Sequence, residues 1–432
     1  MLEKIFKPID NAPLIIFRIF FGFLLACESF GAIATGWVKA VFIDTQFTFS
    51  FIGFNWLQPL PGSGMYFYFI AMGILGLMIM LGLRYRFAII GYTILWAGVY
   101  FMQKTSYNNH YYLLLLISFI MIFLPANQDK ALDIKLGLVH EKKTMPYWIS
   151  LIFIIQISIV YFYAAVAKIY PDWLDGTFTK NLLSGTKLPS SVLELFRQKW
   201  FYLFIAYTGI IYDFLIVPLL LLKKTRTLAL IASLCFHLFN AIVLQIGIFP
   251  FFALSFALFF YEPEKMRRIF LREKSTPDQN TNSDFSQKKL LYLLILPFLV
   301  IQIALPLRHH VIEGDVLWTE EGHRLSWRMM LRERSGYILI KIKDNTTGKI
   351  HFYDYRKNLS NKQANQLAVK PDFIWQYCQR IKEEYAGQDI SIFIDCKNSI
   401  NRKETQRLID PETDFMKAQW DYFKHNKWII LH

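Results

Sequence analysis

The chain has 432 residues, 54% of them hydrophobic and 17% aromatic against only 19% charged, with a formal net charge of +14. Soluble domains rarely show that balance, and apolar runs such as MYFYFIAMGILGLMIMLGL and LLYLLILPFLVIQIALPL approach the length that crosses a bilayer as a helix. The positive charge does not point to nucleic acid. From Arg308 onward there are 21 Lys/Arg against 17 Asp/Glu, so only 4 of the 14 excess charges lie there, and the rest sit in short loops between apolar runs, as a topology signal does.

In chain order, hydropathy predicts about nine transmembrane helices, near 13–36, 65–83, 86–103, 110–126, 147–168, 200–222, 227–246, 248–261 and 289–306. The first carries Arg18 and Glu28 and is followed by no small-residue cleavage site, so it reads as a retained span rather than a signal peptide. The seventh and eighth form one run broken at GIFP (247–250), as a tight hairpin or a re-entrant turn. Placing Lys4 and Lys7 in the cytoplasm puts Arg84/Arg86, the lysines of 130–143, Lys223/Lys224/Arg226 and the polar loop 262–288 on the same side. The low-complexity stretch 273–288 lies in that loop. Residues 1–306 then form a transmembrane domain, and residues 307–432 lie outside the cytoplasm.

That tail reads as a soluble α+β domain. YILIKIKD and TGKIHFYDY alternate with period two and are joined by Asn345-Thr346-Thr347-Gly348, a hairpin signal. A helix is expected around 363–385 and a strand at DISIFIDC. The expected fold is thus a polytopic α-helical membrane protein with a C-terminal soluble α+β domain. Cys27 and Cys235 fall in spans, so among the four cysteines only Cys378 and Cys396 are candidates to pair. No CxxC or Cys/His spacing suggests a metal.

Ionisable groups at span depth are the informative ones, because hydrocarbon makes them costly. The expected topology gathers several at the non-cytoplasmic helix ends: Asn108, Asn109 and His110 in KTSYNNHYYL, Lys168 in YFYAAVAKIYPDWLDG, and His237, Asn240 and Gln245 in FHLFNAIVLQIG. Each has a plain structural reading too. Lys168 suits a snorkelling anchor, Asn-Asn-His an N-cap, and His237 a packed histidine bonded to a neighbouring helix. Arg18 and Glu28 are expected to orient the first helix by pairing with other spans, and Asp213 suits a structural partner or a site residue equally.

The chemical reading of Lys168 is sharper. Burial in an apolar site disfavours an ammonium, and a free amine can take a proton from a phenol or hydroquinone. Histidine and asparagine nearby can hold the resulting oxyanion. There is no P-loop, no GxGxxG after a strand and no HExxH, so chemistry here would be acid–base work on an apolar substrate.

Four segments in order, KTSYNNHYYL, YFYAAVAKIYPDWLDG, FHLFN with IGIFP, and LPLRHHVIEGDVLWTEEGHRLSWRMM, resemble the vitamin K-dependent γ-glutamyl carboxylase family, including its bacterial members with an HTTM domain. DFLIVPLLLLKKTR, SIFIDCKNSINR, RLIDPETD and AQWDYF extend the resemblance over nearly the whole chain. The resemblance implies an enzyme that oxygenates reduced vitamin K to the epoxide and uses the base so generated to convert protein glutamate to γ-carboxyglutamate. Lys168 falls on the family's catalytic lysine and His110 on its histidine, preceded by Asn109. His237 and Asn240, with Asn108, Trp327 and Met329, fall in matched segments as quinone- or substrate-binding positions. A reduced naphthoquinone of the menaquinol or phylloquinol type is implied as cofactor, with O2 and CO2 as co-substrates and no metal. The implied partners are the lipid bilayer and a glutamate-containing protein or peptide, without nucleic acid.

This sequence departs from the animal carboxylases in stopping at His432, where they continue, and in lacking cysteine in the loop 37–64. Quinone chemistry is therefore better supported than propeptide-directed carboxylation. A bacterial inner-membrane protein with a periplasmic tail is expected. The competing readings are a hydroquinone oxygenase that carboxylates nothing and a non-enzymatic quinone-binding or transport protein. A transporter should show inverted repeats, and none is evident.

Overall fold

Among the described residues of the computed structural model, seven helices are long and apolar enough to cross a membrane. They are Ala12–Ala34 (α1), Gly64–Leu81 (α2), Tyr85–Met102 (α3), Trp148–Ala167 (α5), Lys199–Leu221 (α6), Arg226–Val243 (α7) and Lys288–His310 (α9). Two shorter apolar helices, Asn109–Phe123 (α4) and Phe249–Phe260 (α8), occupy the fourth and eighth expected segments. The structure describes residues 2–186, 188–274 and 287–432, so most of the low-complexity stretch 273–288 lies outside the described residues. The protein is a multi-pass helical membrane protein with a strand-containing C-terminal region.

The outward faces are apolar, as lipid requires: Phe67, Leu228 and Leu293 are 70%, 71% and 77% exposed. Association between apolar helices in lipid relies on close packing, and small residues permit it. α1 and α2 meet in this way. A Cβ on Gly22 would come within 2.3 Å of the Met80 backbone nitrogen, and one on Gly76 within 2.7 Å of the Ala26 nitrogen. At GIFP the chain makes a turn through Gly247 (φ +66°), and α8 packs back against α7 and α1.

The end of the domain holding the chain start is tied by strand Pro8–Asp10 (β1), antiparallel to Thr144–Pro146 (β2). Buried Arg267 bonds Asp10 (2.7 Å), Asp129 (2.7 Å) and Asn11 (2.8 Å) there. Arg18 does orient α1, but it bonds the backbone carbonyls of Ala126 and Lys130 rather than an acidic span residue. Glu28 hydrogen-bonds the Tyr111 side chain.

In the tail, Arg334–Asp344 (β3), Ile350–Phe352 (β4), Ile390–Ile400 (β5) and Gln406–Arg407 (β6) form an antiparallel sheet of order β4-β3-β5-β6. Ile338, Ile340 and Ile342 alternate inward and face Cys396, Ile394 and Ile392 across the ladder. The expected helix over 363–385 is two, Asn361–Leu367 (α10) and Pro371–Glu384 (α11). Pro371 lacks an N–H and biases the preceding residue away from helical geometry, so it starts a helix instead of continuing one. A capping box between Ser360 and Gln363 opens α10. Cys378 and Cys396 are buried free thiols in this core, while Cys27 and Cys235 are exposed free thiols on the spans.

Phe49, from the loop between α1 and α2, belongs to the tail's core and stacks 4.4 Å from Phe373. Around it Gln376 donates to Ser50, Tyr422 donates to the Ile52 carbonyl, and Lys104 pairs with Asp372 at 2.6 Å. On the other side Asn401 and Lys403 reach Asp172 beyond α5. The tail is docked through both apolar and ionic contacts.

Candidate functional site

The helix α5 ends where Pro171 approaches. Lys168 is its C-cap, and Pro171 opens the short helix Pro171–Leu174, whose Trp173 donates its indole N–H to the Ala206 carbonyl of α6 (2.9 Å). Long side chains on a helix lean toward its N-terminus, and Lys168 does so: its Nζ donates to the Ala164 carbonyl at 3.1 Å. Because α5 ends at the membrane boundary, that direction is inward. A snorkelling lysine extends the opposite way. The amine also lies 2.5 Å from Asp213 Oδ2, at the middle of α6, and 5.5 Å from the Trp173 ring centre. Lysine and aspartate thus form a hydrogen-bonded pair of two buried heteroatoms.

This pair borders a cavity of about 430 Å³ lined by side chains of α4, α5, α6, α7 and α8 and by Met329 and Met330 of the tail. Its walls are apolar apart from a few convergent groups, the arrangement common to small-molecule sites. His110, on the first turn of α4, stacks on Phe249 with ring centres 3.8 Å apart. Two tyrosine hydroxyls lie within hydrogen-bond reach of His237 Nε2 on α7, Tyr161 at 3.0 Å and Tyr212 at 3.3 Å, and Tyr212 also meets Ser233 at 3.0 Å. The Nδ1 of His237 is buried with no hydrogen-bond partner among the described residues. A tyrosine donating to Nε2 leaves the ring hydrogen on Nδ1, which is then an unused donor. Gly209 lies beside the lysine: a Cβ there would sit 3.6 Å from Trp173 and 4.0 Å from the Lys168 Cε, so a longer side chain would fill the space between them.

The expected residues thus divide into two groups. Lys168, His110, His237, Asn240 and Met329 line one cavity. Asn108 caps α4, accepting from the Tyr111 N–H at 2.7 Å. Asn109 donates to the Arg328 carbonyl (3.1 Å) and accepts from Tyr107 (3.0 Å), so it fastens the tail to the membrane domain. Trp327 is buried against Tyr112 and does not line the cavity. These residues shape the roof instead. Leu325, Trp327 and Met330 all adopt left-handed backbone (φ +63°, +58° and +48°), a geometry that costs non-glycine residues free energy and is held by surrounding contacts. Tyr107, accepting from the Leu325 N–H at 2.8 Å, is one such contact, and Met329 and Met330 reach the cavity as a result.

Sequence reasoning left Asp213 undecided and passed over Tyr161, Tyr212, Gly209 and Trp173. An acid within an apolar span was the usable signal for Asp213. The tyrosines were masked by the abundance of aromatics. Among the described residues no group of three or more His, Cys, Asp or Glu is placed to hold a metal ion.

The fold and cavity define a class: a polytopic membrane protein with an intramembrane pocket, roofed by a docked α+β domain. The family described as HTTM domain matches residues 6–264, and the vitamin K-dependent gamma-carboxylase lumenal domain matches residues 287–432. The chain belongs to the vitamin K-dependent γ-carboxylase family. No solved structure matches it.

Proposed function

We propose that the protein is a vitamin K-dependent carboxylase that couples oxygenation of a reduced naphthoquinone to γ-carboxylation of a protein glutamate. The observation carrying this reading is the Lys168–Asp213 pair, 2.5 Å apart, facing an otherwise apolar cavity that also holds His110 and His237. The cavity suits a quinol: it is of ligand size, its polar groups converge from several helices, and His237 Nδ1 is an unpartnered buried atom. Lys168, Asp213 and His237 would hold the oxygens of the ring, with Trp173 and Phe249 against its faces. When bound, the reduced quinone supplies the electrons for O2 and the strong base that the glutamyl γ-proton requires, and ends as the epoxide.

The chain's own residues have separate tasks. The Lys168 amine takes the hydroxyl proton, and Asp213 accepts a hydrogen bond from the nitrogen as its charge changes. Tyr161 and Tyr212 fix the His237 ring so that Nδ1–H can donate to an oxyanion. His110, stacked on Phe249, offers a second polar group toward the ring. Trp173, Leu183 and Met329 exclude bulk water, which strengthens these interactions. Asn109 and Trp327 position the roof, and Asn240 lies at the outer end of α7. The tail, docked over the site, is the region that meets the glutamyl substrate.

The basic loops favour a cytoplasmic N-terminus and a periplasmic tail in a bacterial inner membrane. The test is incubation of purified protein with reduced vitamin K, labelled CO2 and a glutamyl peptide. Epoxide together with labelled γ-carboxyglutamate is expected. Epoxide without label would leave an oxygenase that carboxylates nothing, and neither product would overturn the enzymatic reading.

A further inference from the structure

A second cavity, a groove of about 1350 Å³, lies where α5 and α9 end beneath the tail. Its floor is apolar. Ile155, Phe162, Val166 and Ile169 follow one another at helical spacing along one face of α5, and each is exposed. Leu293, Leu296, Val300, Ile303 and Leu307 form the same kind of exposed stripe along α9. An exposed apolar stripe running the length of a span is its lipid-facing side. The two stripes belong to neighbouring helices, because Tyr163 of α5 donates to the Ile303 carbonyl of α9 at 2.6 Å. Phe162, Val166, Ile169 and Leu307, at the tail end of both stripes, floor the groove. It therefore continues the lipid-facing surface up to headgroup depth.

The opposite wall is polar and comes from the tail. Arg328 lines it and makes no ion pair among the described residues; Asp315 and Glu320 act on its charge only from a distance. Its Nη1 lies 3.4 Å from His309 Nε2, and its Nε is buried with no hydrogen-bond partner among the described residues. A guanidinium without a carboxylate suits a phosphodiester, which its planar fork can hold through two bonds. Lys403 in the same wall is already paired with Asp172. Two further acids line the groove: Asp315, whose side chain accepts from the Leu317 N–H at 2.8 Å, and exposed Glu404. One unpaired cation beside two carboxylates, above an apolar floor, complements a head that carries both signs.

We infer that this groove seats a zwitterionic phospholipid, with its phosphodiester on Arg328, its ammonium toward Asp315 and Glu404, and its acyl chains along Phe162, Ile169 and Leu307. The lipid touches both parts of the chain and so helps to hold the tail against the spans. A polypeptide fits the floor less well, because the stripes offer no partner for backbone N–H and C=O groups. The assignment is independent of the quinol reading: His110, Lys168, Asp213 and His237 line the other cavity and not this groove.

The test uses the full chain, reconstituted with equal parts of phosphatidylethanolamine and phosphatidylglycerol, stripped with a delipidating detergent and weighed by native mass spectrometry. The wild type should keep one phosphatidylethanolamine per chain, and phosphatidylglycerol, which lacks the ammonium, should be kept several-fold less. Arg328→Gln should lower retention of phosphatidylethanolamine roughly tenfold, as loss of a charge-assisted bond does. Leu307→Trp fills the floor with a side chain tolerated at headgroup depth, and it should lower retention with Arg328 still in place. Equal retention of the two lipids, or unchanged retention in either folded variant, would overturn the assignment. Displacement of the retained lipid by an added glutamyl peptide would overturn it as well, and make the groove a peptide seat.

Discussion

Arg267 and Lys168 are both buried basic side chains paired with aspartate, near opposite ends of the membrane domain, yet their surroundings differ. Every guanidinium nitrogen of Arg267 is engaged: Nε with Asp10, Nη2 with Asn11 and Asp129, and Nη1 with Glu273. Lys168 has one carboxylate and one carbonyl, and it borders a cavity. Its neighbour His237 leaves a ring nitrogen unpartnered. A saturated buried network rigidifies a fold, whereas an unsaturated one keeps hydrogen-bonding capacity for something else. The difference between anchoring and chemistry therefore lies in the count of remaining partners rather than in burial.

Substitution at each of the two should give opposite profiles. Lys168→Met keeps an apolar stem of similar length and removes the amine. Epoxidation and carboxylation should both fall by roughly 10²–10⁴-fold, and thermal unfolding should shift less than in Arg267→Met, because only one carboxylate, Asp213, loses its partner and it borders a cavity. Product assays beside a melting curve check both halves. Arg267→Met should do the reverse. It strands Asp10 and Asp129 without their shared cation, a loss of roughly 3–5 kcal/mol, visible as a lowered melting temperature and poor recovery. Folded survivors should retain activity per molecule.

The docking interface sharpens the comparison. Lys104 and Arg324 share Asp372; Lys104 and Asp372 are buried and Arg324 is half-buried. Burial lowers the Lys104 amine to about 8. Burial raises the Asp372 carboxyl, but Arg324 and Lys104 outweigh it and hold the group at about 2. With its folded value depressed, Asp372 stabilises docking fully above its unfolded value of about 3.9, and that contribution is lost as pH falls through about 2. Hydrogen-exchange protection over the sheet and α11, referred to the intrinsic exchange rate at each pH, should thus be flat from roughly neutral pH down to the carboxylate range. Asp372→Asn should loosen docking at every pH, read as faster exchange and proteolysis of the tail. The smallest effect is expected at Lys403, whose side chain is 61% exposed while it pairs with Asp172. Lys403→Ala should cost no more than about 1 kcal/mol, and tail release comparable to that in Asp372→Asn would contradict this ranking.

The spans were legible because apolar runs and basic loops are local signals. The hairpin at Asn345-Thr346-Thr347-Gly348 was legible for the same reason. Lys168, His110 and His237 stood out by the cost of polarity at span depth. Their partners did not. Asp213 meets Lys168 across 45 residues, and Tyr161 meets His237 across 76, separations at which sequence pattern carries no pairing information. Phe49 entered the tail's core from a loop that shows no periodicity. Asn108 and Asn109 lie beside His110 in sequence, yet helix geometry sends them to a cap and to the tail, while the histidine reaches the cavity.

The most direct test of the central claim is Lys168→Arg, assayed for epoxide formation and labelled CO2 incorporation beside the wild-type protein. Arginine anchors a helix end as well as lysine does, but its guanidinium stays protonated and cannot act as a base. The account predicts a folded, membrane-inserted variant nearly as inactive as Lys168→Met in both reactions. An arginine variant with activity close to wild type would contradict it and make Lys168 an anchor.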